Sequence, residues 1–406
     1  MATLAAMVAV CCMVGSARAA ELRLGMSAAF NGPSRGLGIE LYRGSQAYFE
    51  HINRTEGGVF GRRIVIVAKD DGYDPTPAIR NTIDLILNDN VLILFNYVGT
   101  PTVTRVLPLL KRYSSKHVVL CFPFTGAQPQ REPPYDDYVF NLRASYRQET
   151  KELVDKLFSL GHTRIALFYQ ADAYGRSGWD GVRRAMGEHD LDLAAEATYR
   201  RGASFSQSMA EQVDIIKFAV PSAVISVGSY EACAAFVRDA RDAGYKGLIA
   251  NLSFVGSENL LALLEHEGLK RGRSYTTDCI NSQVVPSYED MSLPAVQEYR
   301  ALMDELDPQV PEGLVHEPYT PLRYSYAGFE GFLNAKVLVE ALREYGKLPD
   351  RQDLQVMFES MGAKDVGIDA PVTFSVLRHQ GLHEVYFTMM ENGTFVPVRD
   401  WSRWRR

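Results

Sequence analysis

The residues able to support covalent chemistry are few, and their spacing does not assemble them. Gly32-Pro33-Ser34-Arg35-Gly36 matches G-x-S-x-G, the turn that lifts a serine nucleophile between a strand and a helix. A serine hydrolase using Ser34 also needs a histidine and an acid in the expected later order, with its elbow strand deep in the sheet. Here the match follows the first strand, and Pro33 constrains the turn. The eight histidines (51, 117, 162, 189, 266, 316, 379 and 383) form no H-E-x-x-H, and Cys121, Cys233 and Cys279 form no C-x-x-C. Asp70-Asp71-Gly72-Tyr73-Asp74 lacks the order of a calcium loop and reads as the approach to a helix cap. Gly36-Leu37-Gly38 lacks the third glycine of a dinucleotide fingerprint. The expectation is no enzyme, no metal and no cofactor. Two segments suit the holding of a small molecule instead. Val98-Gly99-Thr100-Pro101-Thr102 offers a glycine that lets backbone approach a ligand and hydroxyls that cap a helix or meet an anion, and Phe124-Thr125-Gly126 follows the next strand toward the same side. Ordinary βα turns and caps are the competing reading of both.

The elements that must carry these loops alternate. Short β-branched apolar runs at 23–29, 63–69, 91–95 and 118–121 read as strands, and 3.6-residue periodicity at 37–53, 76–89 and 101–114 reads as helices. A second run repeats the order, with helices at 147–160, 174–189, 205–217 and 229–242 and strands at 163–169, 192–198, 222–226 and 247–250. This predicts an α/β fold of two parallel sheets with helices on both faces, fitting two lobes, and in such sheets ligands sit outside the carboxyl ends of the strands. Both candidate loops fall there. Between the runs, the proline-rich stretch 127–137 cannot continue a helix or an inner strand and reads as the approach to a hinge. Helices are expected at 294–306 and 324–345, and residues 384–398 alternate in strand fashion around the hairpin signal Asn392-Gly393.

Residues 1–19 form an apolar run ending in Gly15-Ser16-Ala17-Arg18-Ala19, whose small residues fit a signal-peptidase site. Export to the periplasm is expected, although no basic residue precedes Arg18. A free form is favoured over a lipid-anchored one because Val10 stands where a lipobox needs a small residue before Cys11. The roughly 390 residues that follow exceed one core and carry a net charge of about −7, without basic runs that would attract nucleic acid or an anionic membrane. An odd number of cysteines leaves at least one unpaired.

Several segments, in order and spacing, resemble the type I periplasmic binding proteins of the Leu/Ile/Val-binding family. They are Phe30-Asn31-Gly32-Pro33, Gly57-Gly58-Val59-Phe60-Gly61-Arg62, Asp70-Asp71-Gly72, the loop 98–102, Tyr174-Gly175 and Phe254-Val255-Gly256-Ser257. The resemblance covers nearly the whole mature chain. It implies two Rossmann-like lobes, 20–142 with 285–371 and 143–284 with 372–406, joined by three hinge crossovers near 142, 284 and 372. It implies a ligand cleft lined by Asn31, Gly99, Thr100, Thr102, Phe124, Thr125 and Gly126 from one lobe, the last two loops holding a carboxylate in the amino-acid binders. From the other lobe it implies Gln170, Tyr174, Ser229, Tyr230, Ser253 and Phe254.

The chain departs from that pattern at informative places. Ser253 falls where the amino-acid binders carry the glutamate that neutralises the ligand α-ammonium, Ser229 where an aromatic is usual and Leu37 where a tyrosine is usual, and the bulky Phe124 enters the carboxylate loop. Burying a cation without a counter-charge costs several kcal/mol. The expected solute is therefore an uncharged or monoanionic organic molecule with an apolar or aromatic part, unless Asp172 or Glu231 replaces the missing carboxylate. The resemblance implies a monomeric receptor serving the membrane permease of an ABC importer; the alternative is a sensor that signals through a membrane kinase.

Overall fold

The first run of the chain contains β1 (Glu21–Ala28), α1 (Arg35–Thr55), β2 (Arg63–Asp70), α2 (Pro75–Leu87), β3 (Ile93–Phe95), α3 (Thr100–Arg112), β4 (Leu120–Cys121) and β5 (Val139–Phe140). These strands form a sheet in the order β2-β1-β3-β4-β5, every pairing parallel. The computed structural model describes residues 20–391 and 393–406. The expected signal peptide, with Cys11 and Cys12, and the turn residue Asn392 lie outside the described residues.

The second run contains α4 (Tyr146–Ser159), β6 (Ile165–Gln170), α5 (Ala173–Gly187), β7 (Ala195–Tyr199), α6 (Ala210–Phe218), β8 (Ala223–Val227), α7 (Tyr230–Asp242), β9 (Leu248–Asn251), α8 (Ser257–Arg271) and β10 (Cys279–Gln283). Helices α9 (Pro294–Leu306), α10 (Tyr326–Tyr345) and α11 (Leu354–Glu359) follow. After them come the short pair β11 (Lys364–Asp365) and β12 (Pro371–Val372), then β13 (Tyr386–Glu391) and β14 (Thr394–Pro397). The second sheet has the order β14-β13-β10-β9-β8-β6-β7. Its inner strands are parallel, and β8 is buried at every position, as expected where helices cover both faces. β13 and β14 pair antiparallel, so this sheet is mixed rather than purely parallel: a hairpin returning at the end of the chain can join an edge only that way.

Helix α6 begins five residues later than its periodicity predicts. Side chains of α7 hold the preceding loop open: Glu231 accepts from Phe205 N (3.0 Å), Asp239 accepts from Met209 N (2.6 Å) and Arg238 donates to Gln207 O (3.0 Å). Strand β10 is hidden in the sequence because Asn281, Ser282 and Gln283 are polar yet buried, each with hydrogen-bond partners.

Helix α10 returns to the first lobe and crosses α1 in backbone contact. A Cβ on Gly44 would lie 1.8 Å from Gly328 O, so only glycine permits the approach. Phe374 stacks on Phe122 and meets Phe140 edge-on, which keeps the chain packed against the first sheet beyond residue 372. Gly381 N and Leu382 N then donate to Asn141 O and Leu142 O (2.9 and 2.8 Å), so two of the crossing segments run side by side. Cys121, Cys233 and Cys279 are all buried and unpaired.

Candidate functional site

The carboxyl ends of the two sheets face each other across a shut cleft. On the first lobe, Gly99 adopts φ 100°, and a Cβ there would fall 2.2 Å from the Tyr73 ring, so the start of α3 lies directly against that ring. Thr100 Oγ1 then meets Thr125 Oγ1 at 2.6 Å. On the second lobe, the Asp172 carboxylate caps α5 by accepting from Tyr174 N (2.9 Å), which sets the Tyr174 ring. Ser145 and Gln148 form a reciprocal capping box at the start of α4, which places Tyr146 and, three residues on, Glu149.

Phe254 is where aromatic rings of both lobes meet. Its centroid lies 4.7 Å from Tyr174 on its own lobe, and 5.6 and 5.8 Å from Phe124 and Tyr73 on the other. Tyr146 packs 5.2 Å from Tyr174, and Gln170 Nε2 donates to Tyr73 Oη (3.3 Å). All of these residues are buried.

Beside the rings lies an ion cluster. The Arg143 guanidinium, 1% exposed, sits 4.6 Å over Phe124 and donates through Nη2 to Ser253 Oγ. Glu149 and Glu330 stand 3.7 and 3.6 Å from it. Glu149 accepts from Ser253 N, Ser253 Oγ and Ser282 Oγ at 3.0, 3.0 and 2.8 Å. Burial works against the charge on Arg143, but the two carboxylates outweigh it and raise its pKa. Burial lowers Arg131 to about 9 and pushes Glu330 up to about 7. Three polar centres here are buried without a hydrogen-bond partner, Arg143 Nε and Nη1 and Tyr174 Oη, while Tyr146 Oη is engaged by the Thr100 and Thr125 hydroxyls. An adjoining cavity lined by Phe124, Ser253, Tyr326 and Glu330 has a volume of about 10 Å³, room for about one water. A larger space of about 650 Å³ is lined by Gly126, Tyr146, Arg176 and Trp179.

Of the residues singled out from the sequence, Gly99, Thr100, Phe124, Thr125, Gly126, Gln170, Tyr174, Ser253 and Phe254 come together around these groups. The others do not join them. Thr102 turns its hydroxyl onto Val98 O and Gly99 O of its own loop. Asn31 bonds Asp70, Leu314 O and His316 N, fastening two first-lobe segments. Ser229 donates its N–H to Tyr199 Oη, and Tyr230 Oη accepts from Gly36 N (3.2 Å) across the lobes. Asp172 is held by Gln170 and Tyr174 N, and Glu231 by Phe205 N and Arg35, so neither stands free in place of the missing glutamate. The carboxylate beside Ser253 is Glu149. Ser34 is buried at the start of α1, and no histidine side chain among the described residues hydrogen-bonds to it.

Arg143, Tyr146, Glu149 and Glu330 escaped the sequence reading. Two signals were available: Ser145-x-x-Gln148 marks a helix start just past the expected crossover, and Glu330 is an acid within the apolar run Phe329-Glu330-Gly331-Phe332.

Glu258 on α8 accepts from Tyr326 N (3.1 Å) at the start of α10, and burial pushes it up to about 7. Because the folded protein holds this proton more tightly than the unfolded chain, the contribution is complete below about pH 4.5 and is lost as pH rises through about 7. Glu258→Gln should leave the melting temperature unchanged near pH 4.5 and raise it at pH 8, read by thermal denaturation across that range.

A family model described as periplasmic binding protein matches residues 21–394. The chain belongs to that family. Leu/Ile/Val-binding protein homolog 3 of Brucella melitensis biotype 1 is 23% identical over 236 residues, 58% of this chain and 61% of that relative's length. A possible leucine/isoleucine/valine-binding protein from Rhodopirellula baltica SH 1 shares 29% identity and a TM-score of 0.82, over 93% of this chain and 96% of its own. A fatty acid ABC transporter substrate-binding protein from Thermomonospora curvata shares the fold at 21% identity and a TM-score of 0.77, over 93% and 91% of the two chains. The sequence resemblance to type I periplasmic binding proteins of the Leu/Ile/Val-binding family is thereby borne out. In this periplasmic binding protein the shut cleft is the interface between the two lobes of that fold.

Proposed function

We propose that the protein is an exported receptor that traps a small organic solute between its lobes and presents the closed form to the membrane permease of an ABC transporter. The observation carrying this reading is the set of buried, unpartnered groups on Arg143 and Tyr174 at the lobe interface. A buried donor left unsatisfied costs about 1–3 kcal/mol. Several gathered where two lobes meet support a site that a guest completes. A ligand moves a hinge equilibrium only through its preference for the closed state, which requires contacts from both lobes. The flanking Thr100, Phe124 and Thr125 of one lobe and Tyr174 and Phe254 of the other provide them.

In this reading the lobes are 20–142 with the stretch from 285 to about 380, and 143–284 with the remainder. The third crossover then falls at 380–385 rather than near 372, in keeping with the packing of Phe374 on Phe122. The solute is uncharged or monoanionic with an apolar part, because Arg143 borders Ser253 and the carboxylate hydrogen-bonded to that serine, Glu149, is already taken up. The test is a thermal-shift panel of amino acids, aromatic acids, amides and short fatty acids, paired with solution scattering. A true solute at 100 times its Kd should add about 2.7 kcal/mol of stability and shrink the radius of gyration. Stabilisation by leucine or valine alone would contradict the solute class; a radius unmoved by every compound would contradict the trap.

A further inference from the structure

The arginine at the lobe interface is only half engaged. Nη2 of Arg143 donates to Ser253 Oγ, while Nε and Nη1 are buried and have no hydrogen-bond partner. The Tyr174 hydroxyl is equally buried and equally unpartnered, whereas Tyr146 Oη, on a ring 5.2 Å away, is engaged by the Thr100 and Thr125 hydroxyls. Nε and Nη1 lie on opposite sides of the guanidinium and form no single fork, but each is a charge-assisted donor suited to a carboxylate oxygen, which can accept a further hydrogen bond from a hydroxyl. The protein's own carboxylates do not fill that role. Glu149 is taken up by Ser253 and Ser282, and Glu330 approaches Arg143 Nη1 no closer than 3.6 Å, without a hydrogen bond. Phe124 and Phe254, adjoining the guanidinium and Tyr174, supply an apolar wall for the rest of a ligand.

We propose that Arg143 is a specificity-determining residue that selects a monocarboxylate lacking an α-ammonium group, with the Tyr174 hydroxyl completing the hold on its carboxylate. The proposal rests on the reading of the cleft as a solute trap. Glu330 then acts as a competitor for Arg143. The charged groups facing it are Arg143 and Arg131, which attract, and Glu149, which repels. The opposing arrangement has Glu330 receiving the ammonium of an amino acid, and the two differ in what Glu330→Gln does.

The experiment is calorimetry on the mature chain at pH 8 with two matched sets of probes: 3-phenylpropanoate, 3-phenylpropanamide and phenylalanine; hexanoate, hexanamide and norleucine. In at least one set the acid should bind roughly 10-fold or more tighter than its amide and its amino acid, the worth of a charge-assisted hydrogen bond. Tyr174→Phe should weaken the acid about 5- to 10-fold without lowering the unfolding midpoint, since it removes only an unpartnered hydroxyl. It is preferred to Arg143→Gln, which strands two carboxylates in the core. Glu330→Gln should tighten acid binding. Equal or better binding of amide or amino acid, or loss of binding in Glu330→Gln, overturns the carboxylate assignment and leaves the trap standing. No binding by any of the six overturns the carboxylate assignment, and the trap itself is decided by the scattering panel.

Discussion

Phe254→Ala should lower stability by about 3–5 kcal/mol and leave the lobes apart in the absence of solute. The ring touches Tyr174 on its own lobe and both Phe124 and Tyr73 on the other, so its loss opens a hole at the interface rather than inside one lobe. The surrounding rings are poorly placed to fill it. Tyr73 is tied to Gln170 and abuts Gly99, and Phe124 lies under the Arg143 guanidinium. Urea unfolding reads the first effect and solution scattering the second. A variant as compact as wild type would mean that polar contacts hold the cleft shut, foremost Gly36 N to Tyr230 Oη and the Arg35–Glu231 pair at 3.5 Å.

Glu149→Ala should cost about 3–5 kcal/mol, the usual penalty for breaking a buried pair from one side. The carboxylate is fully buried and accepts three hydrogen bonds, so its removal leaves Ser253 N, Ser253 Oγ and Ser282 Oγ short of an acceptor and leaves Arg143 with Glu330 as its remaining near carboxylate. The double variant Arg143→Met with Glu149→Leu should recover much of the loss, because replacing both charges by apolar groups removes the stranded cation as well. Urea midpoints for the single and double variants decide the matter. If Glu149→Ala unfolds at the wild-type midpoint, Glu330 alone balances Arg143 and the cluster is less coupled than its distances indicate.

The frame was legible because βα units write their two periods locally. Strand β8 reads as a nearly continuous apolar run, with Ser226 its single polar residue, since helices cover both its faces, and α9 begins at Pro294 as its pattern predicts, proline being welcome in a first helical turn. Strand β10 was not legible: its buried Asn281, Ser282 and Gln283 owe their place to partners on β9, α8 and β13, which no window around residue 280 contains. The candidate cleft divides in the same way. Gly99, Thr100 and Thr125 announce themselves by turn and cap chemistry at strand ends, and Tyr174 by the family resemblance. Thr102 carries the same signature and Asn31 the same resemblance, yet the fold turns them onto backbone and neighbouring loops.

Taken alone, the sequence determined the two-lobed frame and which loops end at the cleft, because periodicity, glycine conformation and helix capping act over a few residues. Only the tertiary structure decided the charge of that cleft. Ser253 marked a missing carboxylate, but that Arg143, Glu149 and Glu330 converge beside it from a crossover and two different helices depends on distances across the folded molecule. In a buried, low-dielectric interface those distances determine which charge is balanced and which donors stay free.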